Sequence, residues 1–171
     1  MEVTEMISRL SKLEYSLVHG GHRHSEFPNQ DVIDEIKQVF ETYPKLTKDS
    51  GFVDFLEMCS GAIIIYPDDS IDVSIYGVWD YSGDILSDTE RIGERFLPFA
   101  GIMFHPPIKE SDLKSLSFAF DISSDDLGVY RRANYADELI ERSQLSNYTR
   151  YCDTFLDWLE RLINTKGRLI D

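Results

Sequence analysis

Long apolar runs are missing from this chain. No stretch reaches 18 consecutive apolar residues, so no segment reads as a membrane-spanning helix. The opening run, Met1-Glu2-Val3-Thr4-Glu5, carries early acids and no apolar block of signal-peptide length. That argues against export through a cleaved leader and leads us to expect a cytoplasmic protein. Cysteine is scarce. Cys59 and Cys152 are the only two, and both fall in apolar, helical-looking segments. They read as buried thiols in a reducing compartment, not as a disulfide framework. Internal repeats, low-complexity tracts and linkers are absent, so residues 1–171 read as a single domain. Hydrophobic residues make up 42% of it, which excludes wholesale disorder and allows a sizeable core.

Positive charge is also short. Seventeen Lys and Arg stand against 31 Asp and Glu, a net charge of −14. Phosphate binding needs clustered cations, so a nucleic-acid partner is not expected. The chemistry-bearing motifs are missing too: there is no nucleophile elbow, P-loop or dinucleotide glycine fingerprint. Asp68-Asp69 and Asp125-Asp126 are paired acids, but both sit in turn sequences, where carboxylates face water with nothing to raise one pKa for acid–base work. Asp121, at the end of a strand and before a Ser-rich turn, reads as a turn-former. Nothing points to a bound cofactor, and no catalysis is expected.

What is present is a clear order of elements. Met6, Leu10, Leu13 and Leu17 are spaced four, three and four apart, which predicts a helix over 3–18 closed by Gly20-Gly21. A second helix is predicted over 31–42, ended by Pro44. A third is predicted over about 47–59, closed by Ser60-Gly61. The period then changes. Ala62 to Tyr66 is a short apolar run, and 67–70 is turn chemistry. Ile71, Val73 and Ile75 alternate with Asp72, Ser74 and Tyr76. This pair reads as a β-hairpin. Further strands are predicted over 96–103, 116–122 and 129–132, and turns at 80–83 and 123–128. A closing helix is predicted over 147–163 with Ser146 as N-cap. Its stripe is Tyr148, Tyr151, Cys152, Phe155, Leu159 and Leu162. The expected class is α+β: N-terminal helices, a mostly antiparallel sheet and a C-terminal helix packed on it.

Four segments carry a family resemblance. They are FVDFLEMCSGAIIIYP (52–67), FLPFAG (96–101), FAFDISSDDLGVYR (118–131) and YCDTFLDWLERLI (151–163). In this order and spacing they resemble the SUKH superfamily, over roughly residues 31–163. The chain departs from that pattern in two places. Ser60-Gly61-Ala62 stands where many members have two glycines, and the connection over 104–115, with His105-Pro106-Pro107, is enlarged. The resemblance implies a single α+β domain with a twisted sheet and no catalysis. It also implies, as in most bacterial members, an immunity protein that binds and neutralises a toxin, frequently a nuclease. Fungal relatives act as interaction scaffolds.

One interval suggests how such binding would work. Between Lys48 and Arg91 there is no Lys, Arg or His across 42 residues, and ten acids: Asp49, Asp54, Glu57, Asp68, Asp69, Asp72, Asp80, Asp84, Asp88 and Glu90. The hairpin reading places Asp68, Asp69 and Asp72 at one turn and the adjoining strand, with Asp80, Asp84 and Asp88 in the next loop. We expect this surface to occupy a basic groove of a toxin domain, with charge setting on-rate and specificity. Aromatic anchors would supply affinity, and Tyr66, Tyr76, Trp79 and Tyr81 lie in the same interval. The expected partner-binding set is Asp68, Asp69, Asp72, Tyr76, Trp79, Asp80, Tyr81, Asp84 and Asp88. The bland alternative is a solvated acidic rim with the aromatics in the core.

His19, His22, His24 and Glu26 form the only histidine cluster. A transition metal takes such ligands. Arg23 among them repels a cation and no fourth ligand has a defined spacing, so a solvated loop is expected and no metal site is assigned. His105, beside two prolines, reads as structural. Arg131-Arg132, flanked by Tyr130 and Tyr135, is one of few basic spots and leaves open a pairing with the acidic face or with a partner.

Overall fold

A computed structural model describes residues 2–12, 16–20, 30–66, 70–79, 83–86, 95–108, 113–135 and 148–169, without the side chains of 11, 16–20, 60, 79, 83, 84 and 106–108. The chain opens with helix α1 (Val3–Ser11), strand β1 (Ser16–Gly20) and helix α2 (Gln30–Thr42). A 3-10 turn at Pro44–Lys48 leads into α3 (Ser50–Met58). The strands β2 (Cys59–Tyr66), β3 (Ile71–Ile75), β4 (Val78–Trp79), β5 (Gly83–Asp84), β6 (Phe96–Ile108), β7 (Leu113–Asp121), β8 (Val129–Tyr135) and β9 (Thr149–Cys152) follow. Helix α4 (Phe155–Thr165) closes the fold.

Seven strands form one antiparallel sheet in the order β1-β2-β3-β6-β7-β8-β9, and β4 pairs with β5 separately. The class is α+β, with helices at both ends of the chain and the sheet between. The hairpin of β2 and β3 has the expected alternation: Ile71, Val73 and Ile75 point into the core, while Asp72 and Ser74 point away.

The core lies between one face of the sheet and α1, α3 and α4. Its centre is aromatic. Phe52 of α3 and Phe155 of α4 meet Phe99 of β6 and Phe120 of β7, with ring centroids of Phe99 and Phe120 4.4 Å apart and of Phe52 and Phe120 5.0 Å apart. Trp158 stands edge-on to Phe99 at 5.1 Å. Such rings remove large apolar areas from water and add edge-to-face attraction, so the helices are fixed against the sheet mainly here.

Asp49 ties the two helices together. One carboxylate oxygen accepts from the Phe52 N–H at 3.0 Å and caps α3, while the other accepts from the Phe155 N–H at 2.7 Å. Thr154 is the N-cap of α4 and accepts from the Asp157 N–H at 3.2 Å.

Three expectations change. The first helix stops at Ser11 instead of continuing to 18, because 16–20 pairs with β2 and satisfies its backbone there. The closing helix begins at Phe155, not 147. Thr149–Cys152 is strand β9, paired with β8, and Ser146 lies outside the described residues. Ser60-Gly61 belongs to β2 and does not form a helix-closing turn. Cys59 and Cys152 consequently sit on strands. Both are buried free thiols, and burial pushes the Cys152 thiol up to about 12.

Candidate functional site

The helices cover one face of the sheet. On the other face, register brings Ile65 of β2, Asp72 of β3 and Met103 of β6 side by side. Ile65 and Met103 are both 44% exposed, unusual for large apolar side chains. Asp72 is engaged: its Oδ2 lies 3.1 Å from His105 Nε2, so His105, expected to be structural, is its ion-pair partner when protonated.

Tyr76 follows on the same face. It is half-buried, and its hydroxyl lies over Gly101, where a Cβ would come within 2.9 Å of it. Burial pushes the Tyr76 phenol above its ordinary value. Tyr66 packs against Gly167, and its buried hydroxyl has no hydrogen-bond partner among the described residues. Trp79 and Asp84 lie on the paired strands β4 and β5, next to each other in register through Gly83 and Val78. Their side chains, and the whole of Asp68, Asp69, Asp80, Tyr81 and Asp88, lie outside the described residues. So does the histidine loop beyond Gly20. His19 is on β1 with its backbone opposite Gly61.

The basic pair separates across the sheet. Arg131 turns to the helix side, where its Nη1 donates to the Leu169 carbonyl at 2.8 Å and its guanidinium stacks 5.1 Å from the Tyr151 ring. Arg132 turns to the opposite face and is buried, with no ion pair among the described residues. Its positive charge acts on Tyr148, whose phenol burial pushes up to about 12. Tyr148 stacks on Phe96 at 4.8 Å, which explains its place on the sheet instead of on a helix stripe.

Two further features escaped the sequence. A cleft of about 500 Å³ opens between α1 and α3, with Glu2, Asp54 and Glu57 on its walls and Val3, Met58 and Leu156 among its apolar lining. A smaller cavity of about 140 Å³, which shares Ser50, Gly51 and Leu156 with it, continues toward Lys48, Asp126 and Asp153. Asp54 and Glu57 were legible as acids of the cation-free interval; their position on a cleft depends on how α1 docks, which no local pattern shows. The interval is also less uniform than its charge suggests, since Asp49 is buried and serves two helix caps.

Asp121 is a turn-former, as its sequence suggests. It accepts from the Ser123 hydroxyl at 2.6 Å, the Ser123 N–H at 3.0 Å and Arg95 Nε at 3.1 Å. Burial raises its carboxyl, but these donors outweigh burial and hold it below the usual range. Among the described residues no group of three or more His, Cys, Asp or Glu is placed to hold a metal ion, and no helix is long and apolar enough to cross a membrane.

No protein-family model, curated protein or solved structure matches the chain.

Proposed function

We propose that this chain is a non-catalytic protein-binding module of the SUKH class, acting in the cytoplasm as an immunity protein against a basic toxin domain. The observation that carries the reading is the interval 49–90, with ten carboxylates and no cation. A nuclease groove holds phosphates with Lys and Arg. A carboxylate surface laid into that groove occupies the substrate channel, and long-range attraction speeds the encounter.

The proposed contact set is Asp68, Asp69, Asp72, Tyr76, Trp79, Asp80, Tyr81, Asp84 and Asp88. His105 lies against Asp72 and offsets part of its charge when protonated. The exposed Ile65 and Met103 beside Asp72 supply apolar area of the kind an interface buries.

The test is capture from a lysate of the source cells at low and moderate salt. Captured proteins are identified by mass spectrometry and assayed for toxicity with and without an equimolar amount of the chain. A basic toxin domain held stoichiometrically, released by salt and neutralised by the chain is the expected result. A non-toxic endogenous partner would replace this reading with a scaffold or adaptor of the same fold. Stoichiometric metal that disappears when His22 and His24 are changed would instead favour a metal-dependent enzyme built on 19–26.

A further inference from the structure

We infer that the cleft between α1 and α3 docks an arginine side chain of the partner, its guanidinium between Asp54 and Glu57 and its methylenes on Met58 and Leu156. This rests on the protein-binding reading above and gives that reading a second place on the molecule, apart from the hairpin.

Four observations lead to an arginine. The cleft, about 500 Å³, is of the size that ligand pockets have. Its lining carries Glu2, Asp54 and Glu57 and no Lys or Arg, and none of these acids has an ion-pair partner among the described residues. All three are exposed.

The charges are also badly placed for the free protein. Glu57 stands in the last turn of α3, which holds no basic residue, and the negative end of the helix dipole disfavours a carboxylate there. Asp54 lies three residues before it, so the two acids are neighbours on one helix face and repel each other. A cation between them relieves both interactions at once.

The apolar part of the cleft identifies the kind of cation. Leu156 lies directly on α3: a Cβ at Gly51 would come within 2.6 Å of its Cγ. With Met58 and Val3 it gives an apolar surface against which a methylene stem packs. A planar guanidinium donates to two carboxylates in a fixed fork. A compact ion would use the carboxylates and leave the apolar surface without a role.

The full-length chain is titrated with the peptide acetyl-Leu-Arg-Gly-amide at low salt while its backbone amide resonances are followed. Acetyl-Leu-citrulline-Gly-amide, which has the same shape without the charge, is the control. Saturable shifts confined to residues 2–5, 50–58 and 156 are expected, weakened by salt and absent with citrulline. Replacing both acids, Asp54→Asn with Glu57→Gln, should weaken binding by about fivefold for each carboxylate removed, with resonances elsewhere unchanged. Equal binding of the citrulline peptide, unchanged binding by the double variant, shifts centred on Asp72 and Met103, or no saturable shift at all would each overturn the proposal. The two readings fail separately. A double variant that neutralises the toxin as well as the wild type overturns the cleft and leaves the immunity reading. A chain that binds the peptide in its cleft but neutralises no toxin does the reverse.

Discussion

Asp49 and Asp121 are both buried carboxylates that hold a chain reversal, one where α3 and α4 meet and one at the end of β7, yet their acidities move in opposite directions. Burial pushes Asp49 up, and the N–H groups of Phe155, Phe52 and Gly51 draw it back only in part. Burial also raises Asp121, but the Ser123 hydroxyl, its N–H and Arg95 outweigh that and draw it down. Two things differ: desolvation weighs more heavily on Asp49, which also feels the Asp157 carboxylate, and the donors are of different kinds. Backbone N–H groups satisfy a buried carboxylate without neutralising it, whereas a hydroxyl and a guanidinium together offset the loss of water. The helix junction is therefore held by a charge that remains costly to ionise, and the strand turn by one that favours ionisation.

The largest effect is expected from removing the first of these. Asp49→Ala deletes two caps and leaves the N–H groups of Phe52 and Phe155 without partners in a buried site. A loss of about 3 kcal/mol follows from the ordinary worth of two caps and an unsatisfied buried donor. Urea unfolding checks it. A loss below about 1 kcal/mol would mean that water replaces the carboxylate and that the junction is held by the aromatic cluster alone. Asp121→Ala should cost less, about 2 kcal/mol, because the Ser123 groups and Arg95 lie nearer the surface and regain water.

The opposite acidities predict opposite pH dependences. Asp49 has a raised folded pKa, so its contribution is complete below the unfolded value near 3.9 and is lost as pH rises through the folded value. Asp121 has a lowered one, so its contribution is present above that unfolded value and is lost as pH falls through the folded value. The stability margin of wild type over Asp49→Asn should therefore shrink as pH rises, and its margin over Asp121→Asn should shrink as pH falls. Urea midpoints of the three proteins between about pH 3 and pH 6 measure both slopes. Margins that move together would contradict the comparison.

The same contrast separates what the sequence reveals from what it conceals. The helix over 30–42 and the alternation Ile71, Val73, Ile75 are legible because one local face is apolar and the other is not. Residues 16–18 and 149–152 mislead because a short strand can carry apolar residues at helical spacing. Leu17 continues the rhythm of Met6, Leu10 and Leu13 but belongs to a strand. Tyr148 continues the stripe of Phe155 and Leu159, yet it stacks on Phe96 on the other side of the sheet. Their placement is decided by pairing with β2 and β8, which lies far along the chain. The acidic interval is legible as composition, but the role of each acid is not. Asp49 reaches a donor 106 residues away, and Asp54 reaches the wall of a cleft closed by the first helix.

The smallest effect is the most specific to function. Asp49 and Glu57 are both carboxylates of α3, one at the end where the helix dipole welcomes negative charge and one where it does not. Removing Glu57 should accordingly reverse the sign seen at Asp49. Glu57→Gln should raise stability by about 0.3–0.5 kcal/mol, from the dipole and from the lost repulsion with Asp54. Asp54→Asn in that background should then add nothing, because the repulsion has already gone. Thermal unfolding of the single and double variants at low salt measures this coupling, and added salt should diminish it. A Glu57→Gln variant less stable than wild type would mean that Glu57 already has a favourable partner in the free chain, and the cleft would have no unpaired charge to offer an arginine. A stabilised variant that also loses the peptide places stability and binding in opposition at one residue, as expected where a protein retains an unfavourable charge for its partner.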